Sequence, residues 1–170
     1  VSRAAPYPVL LSVVLVAAAL LPGSAAASCD DRARPGVDWR HCVLAAGDLA
    51  GADLKGAVLR DASFERANLA GADLSGADAY RAKLVSADLT GAKLDGANFA
   101  EADFTRADLT GASLKGADLR RARFFRAKLR GADLSNAQMR GADLLGSDLS
   151  DALWIDGKRR CGEGSIGQCN

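Results

Sequence analysis

Between residues 42 and 156 a five-residue unit recurs 23 times without an insertion or a deletion. Every fifth position from Ala52 to Ala142 is alanine, and Leu, Phe or Met stands two residues later in every one of these units except that of Ala79. Apolar spacings along the chain therefore alternate two, three, two, three. A spacing of two is strand-like, because residues i and i+2 share one face of an extended chain. A spacing of three would flip the face, unless a corner absorbs the extra residue. A helix does not fit this frame. Five residues advance about 140° around a helix axis, so the bulky residues would wander instead of forming a stripe. Glycines such as Gly71, Gly76, Gly91 and Gly96 would each cost about 1 kcal/mol in a helix interior.

A second period gives the number of corners per turn. Taking one corner residue every twenty positions gives Gly51, Gly71, Gly91, Gly111 and Gly131; the next series gives Gly56, Gly76, Gly96, Gly116 and Asn136. The other two series read Asp61, Arg81, Glu101, Arg121 and Arg66, Ser86, Arg106, Arg126. Bulky centres obey the same rule. The glycine series hold only leucine until Trp154, while Phe64, Phe104 and Phe124 share one of the other series and Phe99 lies in its neighbour. Twenty over five is four, so the expected fold is an all-β, square parallel solenoid. Ala79, one coil from Phe99 in the same series, reads as packing compensation of small against large.

The units GADLS, GANFA and GADLK resemble the A(D/N)LXX signature of pentapeptide-repeat proteins. That resemblance implies a right-handed quadrilateral β-helix with alanine and leucine or phenylalanine stacked inside. About 5–6 coils at about 4.8 Å each would make a prism about 25–28 Å tall. If each bulky centre opens a four-residue turn, the last residue of the unit takes the third turn position. A type II corner needs φ > 0 there, which favours Gly and tolerates Asn. Type II corners are expected in the two glycine series, and a different turn at Arg66, Arg81, Glu101, Arg106 and Arg121.

Residues 1–27 read as a signal peptide: Arg3, an apolar run over 9–21, and Ala25, Ala26 and Ala27 before the cut. The run is short for a transmembrane helix. Residues 28–41 then form an N-terminal cap, 42–156 the repeat array, and 157–170 a Gly-rich, basic C-terminal cap loop. Cys29 and Cys42 flank the start of the array, and Cys161 and Cys169 follow its end. In an oxidising compartment these read as disulfides. Cys29–Cys42 with Cys161–Cys169 is the favoured pairing, because the array separates the two pairs by more than disulfide reach. A lipid anchor on Cys29 is a competing reading, weakened by the absence of the usual Leu three residues earlier. Zinc is disfavoured by the lack of a CxxC pair.

Catalysis finds little support in the residue types. His41, the single histidine, adjoins Cys42 at the N-terminal end and reads as a cap residue. The recurring aspartates (Asp53, Asp73, Asp88, Asp108, Asp133, Asp148) occupy one slot of the unit and read as a solvated face, not as acid–base machinery. No glycine fingerprint for a phosphate or a cofactor is present, and none is expected.

Charge is unevenly distributed. The two glycine series carry 5 basic against 10 acidic residues, whereas the other two carry 10 basic against 7 acidic. On the basic half, Val85, Phe125 and Leu145 stand where solvent-facing residues belong, with Tyr80, Arg106, Arg120, Arg123 and Arg126 around them. Arginine with aromatic and aliphatic residues on a flat wall is the composition of an interaction surface. The expected protein is a secreted or periplasmic, non-enzymatic scaffold or binding module. Its partner would be another protein or an anionic envelope polymer, and no nucleic acid. The alternative implied by the resemblance is a DNA-mimicking protein that binds topoisomerase. Balanced charge, the export signal and the lack of a helical dimerisation tail argue against it. An enzyme is the third and weakest class.

Overall fold

The computed structural model describes residues 28–170; the signal-peptide reading of residues 1–27 lies outside the described residues. From Asp38–Val58 to Asp133–Leu153, each unit places one residue in a parallel bridge with the residue twenty positions on. Four bridges per twenty residues define four faces. The first carries bridging residues 38, 58, 78, 98, 118 and 138, and the second 43, 63, 83, 103, 123 and 143. The third carries 48, 68, 88, 108, 128 and 148, and the fourth 53, 73, 93, 113, 133 and 153. Each face ends in a corner that takes its number.

The ladder is continuous through the corners. Leu54 N–H donates to the Asp73 carbonyl at 2.7 Å, Gly56 N–H to Ser75 at 2.9 Å, and Asp73 N–H back to Ala52 at 2.9 Å. Ala and the bulky centre flank each bridging residue and point inward, so the alternation places both in one core running from Val37 to Cys161. Burying each leucine contributes about 1.5–3 kcal/mol. Phe104 stacks on Phe124 with centroids 4.9 Å apart and planes at 1°, and Phe99 meets Phe104 edge-on at 5.0 Å. Ala79 and Phe99 are both fully buried.

The coil starts before Cys42. Val37 and Trp39 are buried, Asp38 bridges Val58, and Gly36 N–H donates to the Lys55 carbonyl at 2.8 Å. Val and Trp replace Ala and Leu in this unit, which hides it from the alanine frame and leaves less for the N-terminal cap than 28–41. Cys42 fills an inward alanine slot and is bonded to Cys29, and Cys161 is bonded to Cys169, with Cα atoms 5.4 and 4.8 Å apart. The Cys29 sulfur is thus occupied and has no valence for a lipid thioether. At the C-terminal end the chain turns back in antiparallel bridges, Leu153 with Arg160 and Asp148 with Ile166. It covers the third and fourth faces, where Leu149 N–H donates to Ser165 and Cys161 N–H to Ala152.

The corners correct one expectation. Arg66, Arg81, Glu101, Arg106 and Arg121 have φ of +57° to +60°, beside +60° to +67° for glycines 51 to 131 of the third and fourth corners. The turn hydrogen bond is also shared: Ala82 N–H donates to Ala79 O at 3.0 Å, as Ala92 N–H does to Leu89 O. The third turn residue is therefore left-handed whatever its side chain. Closing the coil dictates that conformation, and a non-glycine residue adopts it at about 1–2 kcal/mol. No atom lies within 4 Å of a Cβ built on Gly71 or Gly91, so the penalty is conformational and not steric.

The aspartate slot has a structural task that the solvated-face reading missed. Wherever it holds Asp or Asn, the side-chain oxygen accepts the N–H two residues on, as in Ser75 to Asp73 at 3.1 Å, Thr105 to Asp103 at 2.9 Å and Ala100 to Asn98 at 3.1 Å. That N–H begins the corner and lies outside the ladder, so a local acceptor satisfies it. Hydrogen bonds from Ser75, Arg120 and Ser150 hold Asp73, Asp118 and Asp148 below the ordinary carboxylate value.

Two outcomes follow for stability. Ser86→Gly, at φ +57°, should raise unfolding free energy by about 1 kcal/mol, and Gly91→Ala should lower it by about as much, read from urea midpoints. Folded aspartate values lie below the unfolded value of about 3.9. Their contribution is therefore complete above about pH 4 and is lost as pH falls through the folded values. Acid titration monitored by circular dichroism should show that fall, and Asp73→Asn with Asp148→Asn should make it shallower, since Asn keeps the acceptor.

Candidate functional site

The third and fourth corners are built for closure, with glycine at the left-handed position along most of their height. The first and second corners carry side chains there instead, and the two are satisfied differently. On the first corner the left-handed residues pair along the column. Arg81 Nε lies 3.5 Å from Asp61 Oδ1, Arg121 Nη1 3.6 Å from Glu101 Oε1, and His41 Nδ1 3.9 Å from Asp61 Oδ2. The residues before them are engaged as well. Tyr80 Oη donates to Glu101 at 3.0 Å, Arg60 lies 5.0 Å from the Tyr80 ring centroid, and Arg120 makes a two-pronged contact with Asp118 at 2.8 and 2.6 Å. These ion pairs are exposed, so each contributes little to stability, but they neutralise most of this corner from within.

The second corner has no such internal answer. Its left-handed column reads Ala46, Arg66, Ser86, Arg106, Arg126, Gly146. It holds no carboxylate, and Arg66, Arg106 and Arg126 make no ion pair among the described residues. Arg126 instead lies over the Phe125 ring, 5.0 Å from its centroid. Gly146 above makes room for it: a Cβ there would stand 3.3 Å from Arg126 Cγ. The preceding column stacks Glu65, Val85, Thr105, Phe125 and Leu145 in one line. Lys83 on the adjoining second face likewise makes no ion pair among the described residues.

The sequence-based candidates thus separate. Val85, Arg106, Phe125, Arg126 and Leu145 come together on the second corner. Tyr80 and Arg120 lie around the first corner, across the second face. Arg123 sits on that face as a bridging residue, its guanidinium 3.3 Å from Asp103. Val85 and Phe125 are also less open than expected, because stacked corner residues cover one another; Leu145, with less above it, is 67% exposed. Arg66 and Lys83 belong to the same surface and were not singled out. The signal for Arg66 was its place in the twenty-residue series with Arg106 and Arg126.

Cys42 beside His41 is buried and disulfide-bonded, so this pair holds no thiolate. All four cysteines are in disulfides. Among the described residues no group of three His, Cys, Asp or Glu side chains is arranged to hold a metal, and no helix is long and apolar enough to cross a membrane.

Comparison with known proteins agrees with the repeat. The family model for pentapeptide repeats matches in eight copies, over residues 35–61, 48–84, 82–121 and 117–153. Among solved structures, the chain is 32% identical to HetL, a pentapeptide repeat protein involved in heterocyst differentiation regulation in the cyanobacterium Nostoc sp. strain PCC 7120. That match covers 72% of this chain and 70% of HetL, with a TM-score of 0.31. A pentapeptide repeat protein of the Arabidopsis thaliana thylakoid lumen is 32% identical over 71% of this chain and 69% of its own, with a TM-score of 0.31. QnrB1, a plasmid-mediated fluoroquinolone resistance protein, is 27% identical over 69% and 68%, with a TM-score of 0.44. A search of curated protein sequences found no significant match. The repeat model spans most of the chain: the chain belongs to the pentapeptide repeat family.

Proposed function

We propose that this protein is an exported, non-enzymatic binding module that offers its second corner to another protein. In this reading the binding wall is one edge of a right-handed coil of about five to six turns. The array runs from the unit of Val37 and Trp39 to residue 156, and 157–170 form the cap loop that closes it. The observation that carries the proposal is the column Arg66, Arg106, Arg126. Each residue adopts a left-handed conformation that glycine would adopt at lower cost, and none makes an ion pair among the described residues. Strain of this kind points toward use of the side chain rather than toward folding. Beside it, Val85, Phe125 and Leu145 supply the apolar part of a recognition surface, and arginine with an aromatic anchor is the composition of interface hot spots.

Two disulfides at the ends of the coil favour a secreted or periplasmic location, as does the apolar N-terminal run read from the sequence. The thylakoid lumen relative is compatible with it. Similarity to QnrB1 favours a second reading, in which the protein acts on topoisomerase and protects it from fluoroquinolones. The basic character of the first and second faces and the formal net charge of +1 weigh against an imitation of DNA.

The double substitution Phe125→Asp with Arg126→Glu should leave the circular dichroism spectrum and melting midpoint unchanged. It should reduce recovery of the partner at least about tenfold when the mature chain is used as bait in an envelope fraction. Equal recovery of the same proteins by both baits would remove the second corner as the binding surface. Cell fractionation combined with a fluoroquinolone–gyrase protection assay separates the two readings: envelope localisation without protection is expected.

A further inference from the structure

The first corner contains a cleft of about 460 Å³ that the second-corner reading does not use. It arises from one small residue in a column of large ones. The column reads Arg60, Tyr80, Ala100, Arg120, Arg140, and at Ala100 the wall drops back by the length of a side chain. Tyr80 bounds the gap on one side, Arg120 and Arg140 on the other, and Glu101 with Arg121 closes the flank. The volume lies within the roughly 300–1,000 Å³ of small-molecule sites.

The lining has a definite chemistry. Arg120 is bound to Asp118, and Arg121 faces Glu101 at 3.6 Å. Arg140 makes no ion pair among the described residues, so its guanidinium is free to take a carboxylate two-pronged. Three guanidinium groups are answered by two carboxylates, Glu101 in the lining and Asp118 beside it, which leaves one positive charge and favours a ligand of a single negative charge over a neutral one. Glu101 is an acceptor in the same wall. It would repel a second negative charge and would welcome hydroxyl donors. Arg60 stacks on Tyr80 from the neighbouring coil, while the next residue of the column on the other side is Ala100, whose side chain is a methyl group. That leaves an aromatic surface open to an apolar ring face.

We propose that the Ala100 cleft is a binding site for a carboxylated sugar, the hexuronic acid unit of an acidic polysaccharide. The carboxylate would lie on Arg140, its hydroxyls would face Glu101, and the sugar ring would pack over Ala100 against Tyr80. An inorganic dianion uses the arginines but gains nothing from Glu101 or Tyr80, and a neutral sugar leaves Arg140 unmatched.

Isothermal titration of the folded, disulfide-intact protein with trigalacturonate, maltotriose and inorganic phosphate tests this. Trigalacturonate should bind, and maltotriose and phosphate should bind at least about tenfold more weakly. Ala100→Arg fills the gap with a residue the column already carries at three other levels. Arg140→Gln removes the unpaired guanidinium from an exposed position. Each should lower trigalacturonate affinity at least about tenfold, with melting midpoints as the check on folding. Phe125→Asp with Arg126→Glu should leave this affinity unchanged, which separates the cleft from the second corner. Binding of phosphate or maltotriose as tight as that of trigalacturonate, absence of trigalacturonate binding, or full affinity in folded Arg140→Gln would overturn the assignment.

Discussion

Every fifth residue of this coil must turn left-handed, and the rest of the structure is organised around that constraint. A square coil closes after twenty residues only if the chain bends sharply four times, and each bend places its third residue near φ +60°. Once closed, each coil gives the next a complete set of ladder partners, and alanine and leucine fall inward by alternation alone. Glycine meets the constraint at low cost on the third and fourth corners. The first and second corners meet it with charged residues, and that difference turns two edges of a uniform prism into candidate surfaces.

The two charged corners illustrate how the same local strain can have different meanings. On the first, Arg81 with Asp61 and Arg121 with Glu101 give the side chains partners within the column. On the second, Arg66, Arg106 and Arg126 make no ion pair among the described residues. Charge totals alone place both corners on the basic half and do not tell them apart. Pairing does. The same pairing explains why Tyr80 and Arg120 are weaker candidates for a protein interface than Phe125 and Arg126: their polar atoms already have partners.

Much of the architecture was legible because two periods, five and twenty, are written in residue type. The uniform leucines from Leu49 to Leu149 and the glycines from Gly51 to Gly131 report the same registry that the bridges show. The corners bearing Arg66 or Glu101 were misread because a turn rule built on local preference asks for glycine, whereas closure of the coil overrides the preference of a single residue. The role of Asp73 and its equivalents was hidden for another reason. Their partner is a backbone N–H two residues away, which leaves no mark on side-chain composition. Val37 and Trp39 escaped the frame because they fill the alanine and leucine slots with other residue types. The cleft at Ala100 was not singled out from the sequence, because its depth depends on where Tyr80 and Arg140 rest.

The positions of the disulfides bear on how such a coil comes apart. In a one-dimensional stack each coil is held by its neighbours, and the terminal coils, held on one side, are where opening begins. Here one clasp joins the base to the segment preceding it, and the other closes the strap that runs back over the third and fourth faces. Fraying at the N-terminal tip therefore has to carry a crosslinked segment with it, and at the C-terminal tip the disulfide-closed strap has to lift off the coil as one unit. Survival among proteases would then be set by how often a whole closed end lifts, and the loss of one terminal contact would have little influence on it.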